Sequence, residues 1–245
     1  MTVELVLCGL FQHILWRNHY KWGLPRKWKE RTIAAEKGTV FPMQTLKPDT
    51  RKRILDVSKR LFLKKGFRET TTRDIAREAG INLSNLYHYF ASKDELFCCL
   101  LKPATDALEA LLSERHGTRG YDISAIQAEG YADLELEEYM VVIGHHRSSL
   151  KLLLFKSQGS SLETYKEYFV EKATGQVLDW FQAMKRQHPE MNAGISDFFI
   201  HLNNVWMFTL LEEILMHDLP EEETRSVLSE YIQFELIGWR KMMKI

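Results

Sequence analysis

The tightest constraint on this chain is a rapid succession of helix starts and stops between Thr50 and Glu95. Ile54, Val57, Ser58, Leu61 and Phe62 recur at helical spacing while Arg51, Lys52, Lys59, Lys64 and Lys65 take other positions, which predicts an amphipathic helix. Gly66 stands where a left-handed residue past a helix end is expected, with Phe67 placed to fold back on the last turn. Thr71 and Thr72 carry hydroxyls suited to the orphan amides of a second helix, whose inner face is Ile75, Ala76 and Ala79 and which stops at Gly80. Asn82 then caps a short third helix packed through Leu86, Tyr87 and Phe90, and Ser92 with Glu95 forms a capping box that opens a fourth at Lys93. A short helix ending in Gly, followed within a few residues by another, is the layout of a helix-turn-helix, whose second member enters the DNA major groove amino end first. Ala76 and Gly80 are expected to let the two helices approach closely. A generic helical corner is the competing reading of this pattern alone.

Charge along the chain sharpens the choice. The formal net charge is +0, yet residues 1–42 balance at +4, residues 43–102 at +6 and residues 103–245 at −10. Such asymmetry suggests a basic piece that meets a polyanion, joined to an acidic piece with another task. With 6 prolines and 13 glycines in 245 residues, turns are too few for an all-β chain, so the expected fold class is all-α. Three cysteines, Cys8, Cys98 and Cys99, make no disulfide framework and suit a reducing compartment; the expected location is cytoplasmic.

Residues 1–42 interleave Trp16, Trp22 and Trp28 with basic residues and are broken by Gly23, Pro25, Gly38 and Pro42. They read either as a basic arm adding phosphate contacts or as translated upstream sequence ahead of a start at Met43. The second reading is preferred, with the segment disordered or outside the native product. No signal peptide is expected, because Glu4 replaces the basic n-region. No membrane span is expected either: the apolar stretch from Phe198 to Met216 is interrupted by His201, Asn203, Asn204, Glu212 and Glu213.

The run from Arg53 to Leu96, RILDVSKRLFLKKGFRETTTRDIAREAGINLSNLYHYFASKDEL, resembles the amino-terminal domain of the TetR family of bacterial transcriptional regulators. The resemblance is carried by Gly66-Phe67, Thr71 to Ala76, Ala79-Gly80-Ile81, Leu86 to Phe90 and Lys93. It implies a DNA-binding domain over 43–97 and an effector-binding and dimerisation domain over 98–245. It places Thr72 on a phosphate, Arg73 on a base edge or phosphate, and Leu83, Ser84 and Asn85 at the exposed start of the recognition helix. Asn85 suits a base edge and Leu83 a thymine methyl, although the family more often has a polar or basic residue at Leu83. Tyr87 and His88 match backbone-clamping positions, Tyr89 is a further contact, and Lys93 with the amides at its helix start makes an anion site. Tyr87 has a second reading as core, and His88 one as a solvated side chain.

The remainder shows helical spacing around Leu134, Tyr139, Val142 and Ile143, then Leu150, Leu153 and Leu154, from Leu162 to Gln187, and in two final segments, Ile195–His217 and Glu221–Met243. Pro103 is expected to kink the fourth helix and Gly117–Gly120 to end it. The last two segments are apolar over more than one stripe, and in the family two such helices pair with their symmetry mates in a C₂ dimer. Phe198, Phe199, Leu202, Val205, Leu228, Tyr231, Ile232, Glu235 and Trp239 are the expected interface. The resemblance also implies a pocket for an unknown small-molecule effector, with Tyr139, Phe155, Gln158, Tyr165, Trp180, Asn203 and Trp206 as candidates by composition and register, each also readable as plain core.

Enzyme signatures do not appear: there is no Gly-rich phosphate loop, zinc-protease His pair, nucleophile elbow or Cys-x-x-Cys spacing. His145 and His146 are adjacent, so a helix points them about 100° apart, and neither they nor Cys98-Cys99 suit one metal ion. No cofactor and no metal are expected. The sequence is thus read as a ligand-responsive repressor that binds a near-palindromic duplex operator as a homodimer. A protein-interaction adaptor that kept the fold without specific DNA binding is the alternative.

Overall fold

Residues 47–116 and 122–245 are described by the computed structural model. The extension 1–42, the expected start at Met43 and the expected helix break at Gly117–Gly120 lie outside the described residues. Among those described, all regular structure is helical: α1 (Pro48–Glu69), α2 (Thr72–Glu78), α3 (Leu83–Tyr89), α4 (Lys93–His116), α5 (Ile123–Gln127), α6 (Tyr131–Phe155), α7 (Tyr165–Gln187), α8 (Asp197–Met216) and α9 (Glu221–Met243).

The local signals act as their chemistry requires. Pro48 opens α1 where its missing amide costs nothing. The helix turns sharply at Gly66, whose φ of 78° and ψ of 170° lie outside both the helical and the left-handed helical wells and favour glycine. Thr70, fully buried, holds that turn by donating from its hydroxyl to the Gly66 carbonyl at 2.7 Å. Thr71 alone caps α2, accepting from the Asp74 amide at 3.1 Å, and Asn82 caps α3 through the Asn85 amide at 2.7 Å. At α4 the capping box is shifted: Ser92 Oγ accepts from the Glu95 amide, while Glu95 reaches back to the amide of Ala91 rather than that of Ser92.

Three helices pack into a head, and α4 runs from it into the body. Phe62, Phe67 and Phe97 meet at ring separations of 5.0 to 5.9 Å where the two parts join, so one apolar core continues from Ile54 in α1 to Leu236 in α9. The Phe67 amide donates to the Lys156 carbonyl at 2.8 Å, which ties the end of α1 to the end of α6. A second cluster around Trp180, Phe181, Met191 and Met243 closes the far end of the body. There Asn192 bonds the carbonyls of Met242 and Met243, fixing the α7–α8 connection to the end of α9.

Candidate nucleic-acid interface and the cavity in the body

The α2–α3 corner is built by three amide bonds, Ala79 to Ile75, Gly80 to Arg77 and Ile81 to Ala76, at 2.9 to 3.2 Å. Ala76 is buried in the crossing as expected, but Gly80 is not there for closeness: a side chain on it would meet open space, and its φ of +65° is what asks for glycine. The corner presents Arg73, Ser84, Tyr87 and His88 to solvent, and Arg73 has no ion-pair partner among the described residues. Tyr87 is 48% exposed, which removes its reading as core, and its hydroxyl lies 3.4 Å from that of Thr72. The two hydroxyls stand side by side across the corner, one from each helix. Asn85 and Leu83 are half-buried at the start of α3, and Leu83 packs partly on the core.

Two expected contacts are placed differently. Lys93 folds its ammonium inward, donating to the carbonyls of Phe67 at 2.7 Å and Thr70 at 2.9 Å and sitting 4.1 Å above the Phe67 ring. Burial lowers its pKa, with Glu69 acting in the opposite sense. It therefore holds the α1–α2 turn against α4 instead of extending toward solvent. Tyr89 packs on the core and accepts a bond from the Lys47 amide at 3.2 Å, at the entrance to α1. Asp74, bonded by Thr71 and Arg77 and near Lys65, has its carboxyl pulled down to about 2. It is the acidic first-turn group of α2 and complements the amide-rich end of that helix.

Behind the head, a cavity of about 170 Å³ lies between α4, α6, α7, α8 and α9. Of the expected pocket residues, Tyr139, Trp180 and Asn203 line it. Phe155, Gln158, Tyr165 and Trp206 do not. Phe155 and Gln158 sit at and just beyond the end of α6 nearest the head, and Tyr165, buried at the start of α7, points its hydroxyl at the Thr105 carbonyl. Trp206 is on the exposed side of α8. Arg115, His116, Tyr131, Glu135, Tyr231, Glu235 and Trp239 are among the other polar and aromatic residues of the wall.

The cavity's polar groups are organised around Arg115. Its guanidinium, almost wholly buried, donates to Glu135, to Glu138 at 2.8 Å and to the Tyr139 hydroxyl at 3.1 Å. Burial opposes the charge of Arg115, but Tyr139 and the two carboxylates more than offset it and raise its pKa. Burial pushes the Tyr139 hydroxyl up to about 12. His116 is driven down to about 4 by burial, with Arg115 adding to the effect, and its Nδ1 has no hydrogen-bond partner among the described residues. Glu235 accepts from Asn203 at 2.6 Å and from the Trp239 indole at 2.7 Å.

The apolar faces of α8 and α9 also differ in part from expectation. Leu228 and Ile232 are core residues, 3% and 2% exposed, and Tyr231, Glu235 and Trp239 look into the cavity. Phe199 packs on Trp206 and Trp239, while Leu202 and Val205 are half-buried. The outward apolar groups on these two helices are Phe198, Trp206, Met216, Phe234 and Ile237, the last two 66% and 69% exposed. Phe234 and Ile237 were legible as an i, i+3 pair on the side of α9 away from Ile232 and Leu236. The one signal for Glu235 was a carboxylate set into an otherwise apolar stripe.

Among the described residues no group of three or more His, Cys, Asp or Glu side chains is placed to hold a metal ion, and no helix is long and apolar enough to cross a membrane. The ring planes of His145 and His146 stand 86° apart.

A tri-helical head with an exposed polar corner on a helical body defines the helix-turn-helix class of fold. Residues 54–98 match the family model of bacterial regulatory proteins of the tetR family, and they are a TetR-family helix-turn-helix domain. The chain is 35% identical over 85 residues to the HTH-type transcriptional regulator YvkB of Bacillus subtilis, a match covering 35% of this chain and 39% of that protein. It is 27% identical over 133 residues to the HTH-type transcriptional repressor KstR2 of Mycobacterium tuberculosis, covering 54% and 64%. Less than two thirds of either relative is thus spanned. A crystal structure of a TetR-like transcriptional regulator from Rhodococcus superposes with a TM-score of 0.54 at 18% identity over 80% of this chain and 100% of that one. The all-α architecture, head and body together, is therefore the fold of that solved protein.

Proposed function

We propose that this protein regulates transcription by binding duplex DNA through the α2–α3 corner as a homodimer. The observation that carries the reading is the α2–α3 corner, where Arg73, Tyr87 and His88 are exposed and Thr72 is half-buried with its hydroxyl beside that of Tyr87, within the segment that matches the tetR family model. Arg73 reaches a base edge or phosphate, and Thr72, Tyr87 and His88 hold the sugar-phosphate backbone. Ser84, Asn85 and Leu83 face the bases at the start of the recognition helix. Lys93 acts one step removed, by fixing the turn from which α2 departs.

One head covers only a half-site, so a partner is needed to set the spacing. Phe198, Trp206, Phe234 and Ile237 supply an outward apolar face on α8 and α9, suited to a second copy related by a two-fold axis. The cavity is the effector site, and the output is repression relieved by ligand. For that, the ligand must prefer the conformer whose heads are wrongly spaced, because equal affinity for both conformers shifts nothing. A selection of bound fragments from a random duplex library, followed by titration of the best inverted repeat, tests the reading. Saturable binding of one dimer per repeat is expected, and equal affinity for every duplex would contradict it.

A further inference from the structure

We infer that the body cavity selects a small organic cation, an aromatic or otherwise apolar amine or ammonium, over neutral or anionic molecules of the same shape. The inference rests on reading the cavity as the effector site and adds the charge of the effector.

The first observation is an unbalanced charge. Among the described residues Arg115 is the sole Lys or Arg side chain on the wall, and Glu135, Glu138 and Tyr139 engage three of its N–H donors. Glu235 also faces the cavity, held by two neutral donors, Asn203 and Trp239, with no Lys, Arg or His at ion-pair distance among the described residues. A carboxylate with neutral partners in a half-enclosed space is stabilised by an incoming positive charge. An anionic ligand finds the reverse: it must draw Arg115 away from two carboxylates to gain a counter-charge.

The second observation is the unpartnered His116 Nδ1. Its ring is packed against Trp180, and burial holds it neutral at pH 7, so it adds no positive charge to the wall. The third is the character of the remaining wall. Tyr131, Tyr139, Tyr231, Trp180 and Trp239 make the lining rich in aromatic rings, and Arg115 sits 4.6 Å over the Tyr139 ring, so a cation already rests on an aromatic face here; such contacts strengthen once the cation is desolvated. At about 170 Å³ the cavity admits one ring with a compact head group, well below the size of common drug sites.

The test is calorimetric titration of the full chain with three ligands of similar shape: benzyltrimethylammonium, its uncharged carbon isostere neopentylbenzene, and 3-phenylpropionate. The ammonium is expected to bind about tenfold more tightly than the isostere, the scale of a desolvated cation–π contact, with the carboxylate weakest. Glu235→Gln keeps an acceptor for Asn203 and Trp239 and should remove most of the preference, leaving the affinity for neopentylbenzene unchanged. Tighter binding of neopentylbenzene or 3-phenylpropionate, or a preference untouched by Glu235→Gln, overturns the charge assignment while the effector cavity stands. No binding by any of the three at millimolar concentration removes the cavity reading itself, and the charge assignment with it.

Discussion

Asp94 Oδ1, in the first turn of α4, accepts a 2.8 Å hydrogen bond from the backbone amide of Ser161, in the connection between α6 and α7. Ser161 Oγ lies 3.3 Å from Cys98 Sγ one turn further along α4, and a side chain added at Gly159 would meet Arg68 and Phe67. The connection after α6 is thus fastened to the head at the point where α4 leaves it. Removing the acceptor with Asp94→Ala is expected to cost about 1 to 3 kcal/mol, because a charged hydrogen bond and a favourable helix-end charge are both lost. Asp94→Asn keeps an acceptor and should cost less. Urea denaturation of the two variants measures the difference, and equal midpoints would deny the contact its role.

Lys93 is expected to act on stability more than on DNA charge. Lys93→Met keeps the aliphatic stem over Phe67 but leaves the carbonyls of Phe67 and Thr70 without their donor, a loss of about 1 to 3 kcal/mol. Measured below the unfolding range, its DNA affinity should keep the salt slope of the parent, whereas Arg73→Ala should reduce that slope by about 1 if Arg73 meets a phosphate. A lower slope in Lys93→Met together with unchanged stability would return Lys93 to the list of phosphate contacts.

His116 gives the fold a pH dependence of known sign. Its folded-state value, near 4, lies below the unfolded value of 6.5, so between these limits the unfolded chain binds a proton that the folded chain refuses. Stability from this group is complete above pH 6.5 and falls as pH drops toward 4, by an amount on the order of 3 kcal/mol. Denaturation midpoints across that window should show the fall, and His116→Gln should flatten it. A His116→Gln profile parallel to the parent's would contradict the burial of a neutral imidazole.

Two substitutions on α9 should separate surface from core. Ile237→Glu, on an outward side chain, is expected to convert a dimer to a folded monomer, visible as half the sedimenting mass with helical circular dichroism retained. Leu228→Glu, at a position 3% exposed, buries an unpaired charge and should abolish cooperative folding. A parent protein that sediments as a monomer at micromolar concentration would remove the proposed interface.

The head was legible because its information is local. The signals at Gly66, Thr71, Asn82 and Ser92 act through neighbours within four residues, and each marks a turn or cap at the position read from the sequence, although Glu95 closes the box on Ala91 and the helix resumes past Gly66 to Glu69. Helices of the body were legible as periodicity, with α9 running over Glu221–Met243 as read, though the short α5 carries too little pattern to be seen. What escaped is which way each helix turns. α8 is apolar nearly all round, so register alone left Trp206 and Asn203 indistinguishable, and only packing put the first outside and the second on the cavity. Lys93 escaped for a related reason: a lysine at a helix start beside DNA-facing residues looks cationic and free, and the carbonyls that claim it come from Phe67 and Thr70 in the α1–α2 segment.

Fluorescence anisotropy of the full chain on a selected inverted repeat, run beside a scrambled duplex at low and physiological salt, tests the central claim most directly. The proposed function predicts at least about a thousandfold preference for the repeat at physiological salt, with Arg73→Ala and Asn85→Ala each eroding it. Equal affinity for both duplexes, or binding untouched by the two substitutions, would contradict it.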